Sequence, residues 1–321
     1  EVALLELVST PISTLELQRQ ELINFFKPRL GGKRVHFFDV PVHTNTGDSL
    51  IFTGTLKLLK DVNADVVSWC SIYHRNVLKS IARSSKVKPG DVIICQGGGN
   101  FGDIYERHQS LRKRVVELYP NNQIILFPQS MHFNSDESLK ADLSFFSQAK
   151  NFSICVRDEF SFNTLRENGL ENSFLVPDIA TCLVGHVKAS SSPISNTKLN
   201  FLRADVESAT NTSSKAGSES VDWEDINPKV HESMMYFLRK IAAKSSLLGN
   251  SKLWWTLFSK AHRGLICNAS RVFSSYETIR TDRLHGMILA QLVERPCERL
   301  DNSYGKLIRY AQKWLSVKEE H

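Results

Sequence analysis

No apolar run in this chain approaches the roughly 20 residues that a membrane-crossing helix requires. No basic-then-apolar leader opens it, so a signal peptide is not part of this sequence. The first residue is Glu1 rather than methionine, and any targeting or membrane-contacting segment is expected to lie outside these residues. The six cysteines (Cys70, Cys95, Cys155, Cys182, Cys267 and Cys297) include no C-x-x-C pair, which argues against a zinc ribbon or a redox motif. Most lie in apolar, strand-like runs, where Cys acts as a small buried hydrophobe. The 40 Lys and Arg against 34 Asp and Glu leave a net charge of +6, but they are scattered. Without a dense basic run, a nucleic-acid surface is not expected. There is no Walker A loop and no G-x-G-x-x-G spacing, so neither nucleotide fingerprint is present. No cluster with metal-ligand spacing stands out, and the site is expected to work without a metal.

What is present is alternation. Residues 5 to 27 carry leucines at helical spacing and predict an amphipathic helix ending before Pro28. Lys33 to Val40, Val66 to Ser71, Val92 to Cys95, Gln123 to Phe127, Phe152 to Val156 and Ser173 to Val176 read as short buried strands. Helical patterns separate most of them, including one at Val77 to Ser84. From Gly185 to Ser220 the composition turns Ser- and Thr-rich, with Lys198 to Leu202 as a strand between the two poorest stretches. Helices at about 228–244, 252–262 and 263–273, a strand at Tyr276 to Ile279, an apolar helix to Val293, a strand at Pro296 to Leu300 and a terminal helix follow. Strand alternating with helix means a mostly parallel sheet covered on both faces. The expected fold is therefore α/β, with two Rossmann-like domains facing across a cleft. Residues 1–185 form one and 186–321 the other, the terminal helix being free to pack back on the first.

Ligands in such folds sit at the carboxyl ends of the strands. Asn45, Asp48, Asn100, Asp103, Gln129, His132, Arg157 and Asp178 all fall just past strand ends and should share one edge. Asn45-Thr-Gly-Asp48 and Asn100-Phe-Gly-Asp103 repeat one spelling after two strands. The second belongs to Gly97-Gly-Gly-Asn-Phe-Gly-Asp103, where a buried strand empties into glycines; with Asn and Asp but no cation, it suits sugar hydroxyls better than phosphate. Further on, Thr281-Asp282 predicts an N-cap that puts Arg283 and His285 in the first helical turn. A cation there opposes the helix dipole unless an anion binds at the same place. Lys306, just beyond the last strand, either reaches that anion or is a solvated lysine.

In order and spacing, the N-x-G-D turn, the glycine stretch, Pro128-Gln-Ser130, Arg157-Asp158, Pro177-Asp178, Arg203-Ala-Asp205 and Thr281-Asp-Arg-Leu-His285 resemble the polysaccharide pyruvyl transferase family from about residue 35 to 310. The version here looks most like its fungal Golgi branch, which caps galactose on glycans. The resemblance implies a GT-B-like fold, a Golgi-lumen setting and transfer of pyruvate from phosphoenolpyruvate as a 4,6-ketal onto terminal β-galactose, with no cofactor. The donor's phosphate and carboxylate need cations and oriented N–H groups. Arg283, Leu284 and His285 are the first expectation for that role, and Arg157 and Lys306 the second. His285 is the expected acid/base, and Asp48 and Asp103 are expected to act on the sugar hydroxyls. Asn45, Gly98, Gly99, Asn100 and His132 are expected on the acceptor side. Two other readings stay open: a glycosyltransferase of the same architecture using a nucleotide sugar, and a non-catalytic glycan-binding relative.

Overall fold

The structure, a computed structural model, describes residues 7–8, 11–72, 87–189, 192–203, 220–244, 252–300 and 305–315. The expected helix at Val77 to Ser84 and half of the stretch from Gly185 to Ser220 lie outside them.

The larger sheet is parallel throughout. Its path runs β3 (Asp65–Cys70), β2 (Arg34–Phe38), β4 (Val92–Cys95), β6 (Gln123–His132), β7 (Phe152–Val156) and β8 (Ser173–Leu175). All four residues of β4 are buried, as a strand covered on both faces requires. The glycine stretch is not a simple turn. Gly98–Gly102 is a further strand, β5, pairing with the continuation of β6 beyond Pro128. Its closeness explains its composition: a Cβ on Gly102 would sit 1.7 Å from the His132 carbonyl oxygen, and Gly102 has φ 144°.

The smaller sheet is ordered β1-β11-β10-β9. Parallel strands β9 (Ile194–Phe201), β10 (Tyr276–Thr281) and β11 (Cys297–Arg299) are joined at one edge by antiparallel β1 (Leu7–Val8), with Leu7 opposite Glu298. The smaller sheet thus takes its edge strand from the opposite end of the chain.

Helices account for the rest. Helix α1 spans Ile12–Leu30 and runs through Pro28, further than expected. Pro28 lies in the last turn, where it interrupts little, and the Gly31 N–H still closes on the Lys27 carbonyl at 2.9 Å. After α2 (Thr46–Asp61) come α3 (Glu106–Leu118), α4 (Asp136–Ser147), α5 (Glu159–Glu167), α6 (Trp223–Ile226) and α7 (Lys229–Lys244). The two helices expected at 252–273 are one, α8 (Lys252–Ser274). Gly264 lies within it because α7 passes close: a Cβ there would meet His231 Nε2 at 2.5 Å. Then follow α9 (Leu284–Leu292) and α10 (Lys306–Trp314).

Helix α8 ties the two sheets together. Its Phe258 and Ala261 join the core of Phe37, Phe52 and Trp69, while its Ile266, Ala269 and Phe273 join that of Phe201, Ile279 and Leu289. Between them His262 is fully enclosed, with Nδ1 2.9 Å from Ser49 Oγ on α2 and Nε2 3.0 Å from the Pro41 carbonyl. Helix α10 returns across the larger sheet, where the Trp314 indole N–H donates to the Arg157 carbonyl at 2.8 Å and the Tyr310 hydroxyl to Gln18 Oε1 at 3.0 Å.

Burial, reinforced by nearby His43, pushes the His262 pKa down to about 3. The ring stays neutral in the folded state while the unfolded chain takes up a proton below about pH 6.5. Folding stability should therefore fall as pH drops from 6.5 toward 3, with a slope approaching about 1.4 kcal/mol per pH unit from this group. Urea unfolding across that range should show the fall in the native protein and a flatter profile in His262→Gln.

Candidate active site

The carboxyl ends of β2, β4 and β7 and the start of α9 meet around a cavity of about 320 Å³, lined by residues of both halves of the chain. Arg157, placed at the end of β7 by an N–H bond to the Gln129 carbonyl (3.0 Å), forms its floor. Its Nε donates to Ser130 Oγ at 2.9 Å and its Nη1 to the Asp178 carboxylate. Asp178 also accepts from the Ala180 N–H at 2.8 Å. Burial alone would raise its pKa, but Arg157 and His285 outweigh burial and hold Asp178 well below the usual carboxylate range. His285 Nε2 lies 3.4 Å from both the Asp178 carboxylate and Arg157 Nη1. A proton on Nε2 faces the carboxylate; without it, the lone pair can accept from the guanidinium. Nε2 therefore has a partner whichever tautomer the ring adopts.

The turn before α9 differs from expectation. Arg283, not Thr281 or Asp282, is the N-cap, with φ −102° and ψ 126°, and no side chain caps the helix. Thr281 and Asp282 turn inward instead. Thr281 Oγ1 accepts from the Arg283 N–H at 3.0 Å and Asp282 from the Arg203 N–H at 3.0 Å. The Arg283 side chain pairs with Asp222 ahead of α6, and its guanidinium lies 5.9 Å from the Phe201 ring centre. The start of α9, with Leu284 and His285, therefore opens on the cavity as an N–H-rich helix end.

Lys306 is not a solvated lysine. It is 7% exposed, and its Nζ lies 3.5 Å from the Gly99 carbonyl oxygen. Gly99 fits between two cations: a Cβ there would lie 3.4 Å from Arg157 Nη2 and 3.5 Å from Lys306 Nζ. The glycine stretch thus borders the cationic floor as well as the opposite wall.

On that wall Asn45 caps α2, its Oδ1 accepting from the Gly47 N–H at 2.9 Å and the Asp48 N–H at 3.3 Å. The Asp48 carboxylate lies 3.5 Å from His43 Nε2. Asn100 is held from behind, its carbonyl accepting from Arg112 Nη1 at 3.0 Å and its side-chain oxygen from Nη2. Arg112 pairs in turn with buried Asp39 at 2.9 Å, whose other oxygen holds His108 Nδ1 at 2.6 Å.

The expected set therefore divides. Asn45, Asp48, Gly99, Asn100, Arg157, Arg283, Leu284, His285 and Lys306 line one cavity. Asp103, His132 and Gly98 are not among its lining residues. Asp103 is turned away and clasps the Asn134 N–H (2.8 and 2.9 Å) and side-chain amide (3.1 Å), pinning the turn after β6. His132 pairs with Gly102 in the sheet, and Gly98 backs onto Asp48 and Ile51. His43, Tyr105, His108, Arg203 and Trp223 also line the cavity but were not expected there. His43 lies two residues before the recognised turn and Arg203 opens a recognised motif. Nothing in the local sequence marks His108, which gains its place through Asp39.

A parallel α/β frame thus sets a cationic cradle opposite a His- and Asp-bearing wall. The sequence profile of the polysaccharide pyruvyl transferase family matches residues 45–304. A Bacillus subtilis protein named as a candidate pyruvyl transferase, EpsO, is 32% identical over 280 residues, covering 87% of this chain and 84% of the relative. Pyruvyl transferase 1 of Schizosaccharomyces pombe is 28% identical over 320 residues, covering 94% and 75%. The crystal structure of a functionally uncharacterized Klebsiella pneumoniae protein superposes with a TM-score of 0.58 at 19% identity, covering 94% of this chain and 95% of that one. The chain belongs to the polysaccharide pyruvyl transferase family, and it is a transferase that places pyruvyl groups on polysaccharide.

Asp178→Asn should leave Arg157 buried without its counter-charge and cost about 3–5 kcal/mol of stability in denaturant titrations. Asp103→Ala should leave pyruvyl transfer within about threefold of the native rate, since its carboxylate serves a turn away from the cavity.

Proposed function

We propose that the donor is phosphoenolpyruvate and that the product is a 4,6-ketal of pyruvate on a terminal β-galactose of a glycan, with phosphate released. The observation that carries this reading is the convergence of Arg157, Arg283, Lys306, His285 and the start of α9 on one small cavity. A donor with two anionic groups on three carbons matches that density of cations and N–H groups.

The residues divide the chemistry between them. Arg157 and Lys306 flank Gly99 and hold one anionic group, while Arg283 and the α9 N–H groups hold the other. His285 delivers a proton to the methylene carbon of the donor, and the cationic centre formed at the neighbouring carbon is attacked by one galactose hydroxyl. Asp48, with His43 beside it, takes that hydroxyl's proton; His108, oriented by Asp39, is placed to serve the second hydroxyl. The second hydroxyl then displaces phosphate, which leaves with the remaining proton, so one new C–H and two new C–O bonds account for the ketal. Asn45, Gly99 and Asn100 shape the sugar's place. The donor brings both the group and the driving force, and no cofactor enters the scheme.

With this reading go three further proposals: residues 1–185 and 186–321 act as acceptor-side and donor-side domains of a GT-B-like pair, the compartment is the Golgi lumen, and any membrane contact is made by a segment outside this chain. The last two rest on the resemblance to the fungal branch alone. A nucleotide-sugar donor fits less well, because about 320 Å³ lies at the small end of ligand sites.

Incubating the protein with phosphoenolpyruvate and a terminal β-galactoside should release phosphate and add the mass of one pyruvyl ketal. Turnover only with a nucleotide sugar removes the reading, and turnover of phosphoenolpyruvate with other hexosides but not galactosides removes the acceptor assignment. His285→Gln should lower kcat about a hundredfold or more. Arg283→Ala should reduce kcat/KM for the donor by about as much.

A further inference from the structure

The larger of the two cavities described here is not the active site. A space of about 630 Å³ lies between the second half of α2, the segment after the 3-10 turn Ile179–Leu183, and the middle of α8. Its lining carries the apolar side chains Leu56, Leu183, Val187 and Ile266 with one side of Trp255. Lys60, Lys188 and Arg263, all exposed, also border it. Lys57 is nearby but is already paired with Asp61. The active cavity engages Asn45 and Asp48 at the opposite end of α2, a helix of 16 residues, which is about 24 Å long.

We propose that this cavity is a second binding site, for a single-chain amphiphile with an anionic head. The chain lies over Leu183, Val187 and Ile266, and the head meets Lys60, Lys188 and Arg263. An apolar floor alone would accept any greasy ligand, and a cationic rim alone any small anion; the two together at a cavity within the usual size for ligand sites select a molecule carrying both.

The chain contains its own reporter. Of its six cysteines only Cys267 is exposed, and it lines this cavity. Dodecyl phosphate, held below its micelle concentration, should slow alkylation of Cys267 by about tenfold in the native protein, the equivalent of about 1.4 kcal/mol of protection. Inorganic phosphate and dodecyl maltoside should leave the rate unchanged. The variant carrying Lys60→Glu and Lys188→Glu should lose the protection while keeping native pyruvyl transfer, which shows that it is folded. Absence of protection by dodecyl phosphate overturns the proposal. Equal protection by dodecyl maltoside reduces the cavity to an apolar pocket, and equal protection by phosphate reduces it to an anion surface; either result, or protection that survives in the double variant, also overturns it.

Discussion

The buried ion pair of Arg157 and Asp178 is the constraint on which the site depends. Both groups are nearly inaccessible, 2% and 1% exposed. Charges so placed persist only when fully paired and hydrogen-bonded, and here Ser130, Ala180 and His285 complete the pairing. Because Arg157 and Asp178 come from the larger sheet and His285 from the helix after β10, the pair also fixes where the two halves of the cavity meet. Its guanidinium is held so firmly by the protein that little reorganisation remains for a ligand to impose, which is the condition for strong electrostatic stabilisation.

A second set of contacts keeps that meeting point in register. Helix α8 contributes to both cores, and the Ser49–His262–Pro41 bridge locks it against the helix that Asn45 caps and whose first turn carries Asp48. A shift of α8 would therefore move Asp48 relative to His285. Gly47 shows how little slack exists, since a Cβ there would lie 2.8 Å from His285 Nδ1.

The sequence made the strands legible because a parallel strand buried on both faces must be an apolar run, and Val92 to Cys95 or Phe152 to Val156 are little else. The polar groups after those runs were legible for the same reason, and Arg157, Asp178 and Asp48 stand where strand ends predicted. What stayed hidden depends on distant partners. His108 looks like any helix residue until Asp39, far back in the chain, is seen to hold it at 2.6 Å. Asp48 and Asp103 share one local spelling, but Asp48 lines the cavity while Asp103 is drawn off by Asn134. Lys306 could be read either as a donor contact or as a solvated lysine, and only the fold, which brings it within 3.5 Å of the Gly99 carbonyl, separates the two. The break expected within α8 failed to appear because burial of Phe258 to Phe273 on two cores outweighs a local glycine.

The edge strand β1 has a consequence for how the molecule comes into being. Leu7 pairs opposite Glu298, so the smaller sheet closes only after nearly all of the chain lying between them exists. Contacts of such long sequence separation are slow to form, and a ribosome exposes Leu7 long before its partner. During synthesis the larger sheet can assemble first, while the cationic cradle, which also needs His285 and Lys306, cannot. The cavity that gathers His43, Arg157, His285 and Lys306 is thus completed only once segments far apart in the sequence have come together.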